Sequence, residues 1–98
     1  MTTPIEIAHE ETDNRGAFYF ERDGARLAEM TYKRSGPTLV EIDHTEVNEK
    51  LRGLGASRRM LDAAVAWARS SGTRVTATCS YARAQFEKDT SIQDVYER

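Results

Sequence analysis

The sequence holds one cysteine, two prolines and two histidines among its 98 residues, and each scarcity removes a class of structure. Cys79 has no partner for an intramolecular disulfide, a four-cysteine zinc site is excluded, and a reducing compartment is implied. No stretch approaches the roughly 18 uninterrupted apolar residues of a membrane span. The N-terminus, MTTPIEIAHEET, lacks a basic region followed by an apolar core. Secretion and membrane contact are therefore not expected, and a cytoplasmic location is. Linkers, internal repeats and low-complexity runs are also missing, so 1–98 reads as a single domain.

What is present is a foldable composition, 39% apolar and 31% charged. The net charge of −2 conceals an uneven distribution. Residues 50–83 carry seven basic side chains (Lys50, Arg52, Arg58, Arg59, Arg69, Arg74 and Arg83) against one acid, Asp62, whereas both flanks are acidic. An anionic ligand would be drawn to the middle of the chain.

Three strands are expected at Ile5 to Glu11, Ala17 to Arg22 and Arg26 to Lys33. The turns between them hold Asp13-Asn14-Arg15-Gly16 and the hairpin dipeptide Asp23-Gly24. A fourth, Thr38 to Val47, alternates so that Val40, Ile42 and His44 share one face. After LRGLGAS, the spacing of Met60, Leu61, Ala64, Val65 and Ala68 predicts a helix that stops at Gly72. Arg74 to Cys79 reads as a fifth strand and Ser80 as the cap of a second, shorter helix reaching Lys88, while the last ten residues carry no assignable pattern. The fold class is α+β (α/β): a mainly antiparallel sheet crossed by a long helix, with the functional residues between the fourth and fifth strands.

The segment Arg52-Gly53-Leu54-Gly55-Ala56-Ser57 lies between a strand and a helix, where free amides and the helix dipole bind anions. Gly53 and Gly55 allow close approach of the backbone to phosphate, and Arg52, Arg58 and Arg59 add charge. A tight strand-to-helix connection would explain two glycines equally well. A Walker loop is excluded because no Lys-Ser or Lys-Thr follows, and a dinucleotide fingerprint because its third glycine is absent.

From Ile42 to about Phe86 the sequence resembles the GCN5-related N-acetyltransferases, in particular their very small single-domain branch. The resemblance runs through IDHTEVNEKLRGLGAS, AVAWARSSG and TRVTATCSYARAQF. The family's loop is Arg or Gln, two residues, Gly, one residue, then Gly or Ala. Arg52, Gly55 and Ser57 take those places, Ser57 and Ala56 being departures from the usual residues. The resemblance implies that acetyl-CoA is the co-substrate, with its pyrophosphate on the amides of Gly53, Leu54, Gly55, Ala56 and Ser57. The resemblance also implies that the strand end at Glu46 and Val47 holds the pantetheine arm. From their positions on the chain, Arg58 would add charge at the phosphates and Arg83 would reach them from the second helix, a solvated helix-face arginine being the default reading for Arg83.

The resemblance also places Cys79 on the cysteine this branch carries near the thioester, where a thiolate would accept the acetyl group. Ser80 stands where the branch has proline. A lone cysteine beside Val75 and Ala77 is also explained as a small buried hydrophobe, and direct attack by an amine needs no enzyme nucleophile. His44 matches the family's His-Thr pair and is a candidate base, and Tyr81 a candidate acid for the departing thiolate. Each has a competing structural role. Trp67 reads as half-exposed packing. His9 has no second ligand nearby, and no metal is expected.

The function so implied is transfer of acetyl from acetyl-CoA to an amine: a small molecule, a protein lysine or a protein N-terminus. A non-catalytic acyl-CoA-binding or regulatory module is the alternative. A nucleic-acid surface ranks lowest, since the basic segment lacks interleaved aromatics. The oligomeric state is open, with a monomer favoured.

Overall fold

The computed structural model describes residues 5–97; 1–4 and 98, the ends of the expected domain, lie outside the described residues. Five strands form one sheet in sequence order: β1 (Ala8–Thr12), β2 (Arg15–Arg22), β3 (Ala25–Gly36), β4 (Leu39–Val47) and β5 (Arg74–Ala77). β1 to β4 pair antiparallel; β5 joins β4 in parallel, which requires the crossover helix α1 (Ala56–Ser71). A second helix, α2 (Ser80–Lys88), follows β5.

Local chemistry accounts for most boundaries. Asp23 and Gly24 both have positive φ (53° and 80°), as a two-residue hairpin demands. The β1–β2 turn is tighter than expected: Thr12 pairs with Arg15, leaving Asp13 and Asn14 at the tip. Gly16 is therefore a strand residue, and a Cβ there would overlap the phenol ring of Tyr32. β1 starts at Ala8, not Ile5, and β5 stops at Ala77, not Cys79.

Met60, Leu61, Ala64, Val65 and Ala68 pack α1 onto Phe18, Met30, Tyr32, Val40, Ile42 and Val75 in one core cluster. Burying such a stripe contributes about 1.5–3 kcal/mol for each large side chain. At one end, His9 stacks on Phe18 at 4.1 Å and Trp67 stacks on Tyr32 at 5.5 Å. The other face of the sheet carries polar pairs instead, among them Arg15–Asp43 at 3.0 Å and Lys33–Glu41 at 3.5 Å.

The C-terminal residues, without pattern in the sequence, form a 3-10 turn at Thr90–Val95 that buries Ile92 and Val95. Tyr96 then bridges Val75 beside β5, and its ring stacks on Phe86 at 4.5 Å, almost parallel. This segment also collects arginines. Arg58 pairs with Asp89, Arg69 with Asp94 and Arg74 with Glu97, so three of the seven basic residues in 50–83 are neutralised by the acidic C-terminal stretch.

Candidate functional site

Between β4 and α1 the chain makes a 3-10 turn, Glu49–Leu51, capped by the Asn48 carboxamide, which accepts from the Lys50 amide at 2.9 Å. Gly53 and Gly55 follow with φ of 81° and 72°, values that L side chains rarely adopt. A Cβ at either position would meet no protein atom within 4 Å, so conformation and not packing demands glycine. Gly55 is the N-cap of α1 and brings no side chain to cap it; no acid occupies the first turn. The first helical bond runs from the Arg59 amide to Gly55 O at 3.0 Å, leaving the amides of Ala56, Ser57 and Arg58 ahead of it. The positive end of α1 is thus open to an anion.

These groups face a cleft of about 440 Å³ that also takes in Val47, Asn48, Arg52 and Tyr81. It brings together Val47, Arg52, Gly53, Gly55, Ala56, Ser57, Arg58 and Tyr81 of the residues expected from sequence. Leu54 is a correction: its amide donates to Leu51 O at 3.1 Å and is spent inside the turn, while its side chain is exposed. Arg58 lines the cleft but is held by Asp62, Gln85 and Asp89, so most of its charge is already answered. Arg83 lies on a different concavity with Thr76, Thr78 and Glu87, and pairs with Glu87 at 3.7 Å; it is not brought to the turn. Lys50, Arg52 and Arg59 form no ion pair among the described residues.

The β4–β5 pairing ends at Ile42 and Ala77, yet β4 continues alongside β3 to Val47. The strands part where β4 carries an extra residue: Tyr32 pairs with Ile42 and Thr31 with His44, leaving Asp43 as a bulge. One inserted residue reverses every later side chain. His44 therefore does not share a face with Val40 and Ile42, as alternation implied. It points to the open polar face, 59% exposed, with its Nε2 3.9 Å from Glu46. Glu46 faces the same way and borders a second hollow with Glu29 and Arg26. Asp43 accepts from Thr31 at 2.6 Å and Arg15 at 3.0 Å; burial pushes its carboxyl up, but these bonds outweigh it and hold it below the usual range.

The same reversal turns Thr45 inward. Its Oγ1 lies 3.1 Å from Cys79 Sγ, a contact no sequence pattern announced, since the bulge that creates it is a property of the β3 pairing. Cys79 is buried, and it is the N-cap of α2, displacing Ser80 from the capping place expected for it. The Ile42 carbonyl accepts from both the Thr78 and Cys79 amides, at 3.0 and 3.1 Å, and so turns the chain out of β5 into the helix. Burial pushes the Tyr81 phenol up, Arg58 opposes this, and charges at Asp62 and Cys79 reinforce it. Tyr81 keeps its proton at neutral pH, as a proton donor must. His9 belongs instead to the aromatic end of the core, with its Nε2 2.7 Å from the Tyr32 hydroxyl.

No described helix is long and apolar enough to cross a membrane. Among solved structures, a GCN5-like protein from Staphylococcus aureus superposes with a TM-score of 0.71 at 34% identity, over 98% of this chain and 91% of that one. Protein NATD1 from Bos taurus is 28% identical over 96 residues, spanning 97% of this chain and 82% of that protein. The aminoglycoside acetyltransferase AAC(6')-Iy, in complex with the bisubstrate analogue CoA-S-monomethyl-acetylneamine, shares the fold at a TM-score of 0.54 and 13% identity, over 89% of this chain and 65% of that one. The family model described as GCN5-related N-acetyl-transferase matches residues 17–95. The chain belongs to the GCN5-related N-acetyltransferases and is an acetyltransferase of that family.

Proposed function

We propose that this chain, acting as a single domain, binds acetyl-CoA in the cleft beside α1 and transfers the acetyl group to a primary amine. One observation carries the reading: the uncapped N-terminus of α1, with its left-handed glycines and no acid in its first turn, opens onto a cleft bordered by the free end of β4. Pyrophosphate takes the amides of Gly53, Gly55, Ala56 and Ser57, with Arg52 and Arg59 beside them. The pantetheine arm runs along Glu46 and Val47 into the gap between β4 and β5, which brings the thioester toward Cys79.

There the Cys79 thiolate attacks the acetyl carbonyl, the new S–C bond forms, and the coenzyme sulfur leaves with its electron pair. Tyr81, still protonated, supplies a proton to that sulfur and regains one from the solvent that took the Cys79 proton. The incoming amine then attacks the carbonyl of acetyl-Cys79, the N–C bond forming as the S–C bond breaks and the Cys79 sulfur leaves with its electron pair as the thiolate. His44, on the open face, accepts the proton of an amine arriving from that side.

The test is intact-mass measurement after incubation with acetyl-CoA alone, then with a lysine-containing peptide or a diamine. One acetyl group on Cys79, lost on adding amine as coenzyme A accumulates, is expected. Direct transfer without the cysteine would leave amine acetylation intact in Cys79→Ala. Tight binding with no coenzyme release under any amine would favour the non-catalytic reading, to which Ser57 and Ser80 already lend support as departures from the family pattern.

A further inference from the structure

We propose that Thr45 is a positioning residue for the Cys79 thiol, an inference that rests on the reading of Cys79 as acetyl carrier. Three features of the backbone produce the pair. The Asp43 bulge turns Thr45 to the inner side of β4. The Ile42 carbonyl gathers the Thr78 and Cys79 amides and so fixes where the cysteine leaves β5. The Cys79 carbonyl accepts from the Arg83 amide at 3.0 Å, anchoring the cysteine as the N-cap of α2. Sγ and Oγ1 meet at 3.1 Å inside the gap that opens between the strands.

The chemistry of the two groups sets the direction of the bond in each state. With the thiol protonated, either atom can donate. Once the thiolate forms it can only accept, so the Thr45 hydroxyl is the donor, and a hydrogen bond to the charged form favours that form. The bond also fixes which side of the sulfur faces the gap. Thr45 exchanges no proton and forms no covalent bond; it acts only through the Cys79 sulfur it touches. The other groups bearing on the sulfur are the Tyr81 phenol from α2, with Arg58 and Asp62 of α1 acting on that phenol in turn. A threonine used only for packing would be replaced without consequence by valine, which has the same shape; this one would not.

Cys79 is the only cysteine, so alkylation by iodoacetamide reports on it alone. The rate is followed against pH in the wild type, Thr45→Val, Thr45→Ala and Thr45→Ser, with folding checked by melting and acetyl-CoA affinity by titration. Losing one hydrogen bond to the charged form moves the pH of half-maximal reactivity upward and lowers the rate at neutral pH roughly tenfold. That shift in Thr45→Val or Thr45→Ala, its reversal in Thr45→Ser, unchanged coenzyme affinity and slower acetyl loading of Cys79 are the expected result. An unmoved pH profile in whichever of the two apolar variants folds would overturn the role of Thr45 while leaving the acetyl-cysteine route standing. Absence of acetyl on Cys79 in the wild type would overturn that route, and the role of Thr45 with it.

Discussion

Six of the seven basic residues of 50–83 divide into two populations that their sequence does not distinguish; the seventh, Arg83, pairs with Glu87 on its own helix. Lys50, Arg52 and Arg59 surround the α1 turn without ion-pair partners among the described residues, while Arg69 and Arg74 are tied to Asp94 and Glu97 in the C-terminal segment and Arg58 to Asp89. The first group leaves its potential available to a ligand. The second closes the chain end over β5: Arg74 alone reaches the Glu97 carboxylate and the carbonyls of Asp94 and Tyr96, each within 2.9 Å. A charge count measures capacity for anion binding only after internal pairs have been subtracted, and here the remainder sits at one place.

The largest effect is expected in the apolar support of the C-terminal segment. Phe86 is fully buried and stacked on Tyr96, so Phe86→Ala should cost about 3–5 kcal/mol in urea unfolding. It removes the frame that keeps the second population of arginines occupied. Charge changes then sharpen the contrast. Arg52→Glu with Arg59→Glu should weaken acetyl-CoA binding by about tenfold or more in a titration at low salt, with little change in the melting midpoint. Arg74→Gln should do the opposite, lowering the midpoint and leaving the dissociation constant within about twofold.

The smallest effect lies far from both groups. Burial holds the His9 imidazole below its usual 6.5, against Glu11 and Glu10, which pull it up. The unfolded chain therefore binds protons at a pH where the folded one does not, and stability should fall as pH drops below about 6.5 toward the folded value. In His9→Gln, melting curves across that window should lose this slope.

What the sequence disclosed depended on how local each cause was. The glycine turn was legible because positive φ at Gly53 and Gly55 is a demand of the residues themselves, and the α1 stripe because five apolar residues repeat at helical spacing. The outward turn of His44 was not legible, because the bulge at Asp43 exists only in relation to β3. The C-terminal segment has no period to read, and its partners lie far away in sequence: Asp89 is 31 residues from Arg58, and Asp94 is 25 from Arg69. Thr45 and Cys79, 34 residues apart, meet only because that bulge and the end of β5 coincide.

Whether the open N-terminus of α1 holds the coenzyme's phosphates is decided by thermal unfolding with and without acetyl-CoA, in the wild type and in Ser57→Glu. An acid in the first turn of α1 suits the helix dipole, so the free variant should melt at or slightly above the wild-type midpoint. In the wild type, acetyl-CoA at about a hundredfold over its dissociation constant contributes about 2.7 kcal/mol, a rise on the order of 10 °C for a domain of this size. That rise is expected in the wild type, and its loss in Ser57→Glu. An equal rise in both, or none in the wild type, would contradict phosphate binding at this helix end.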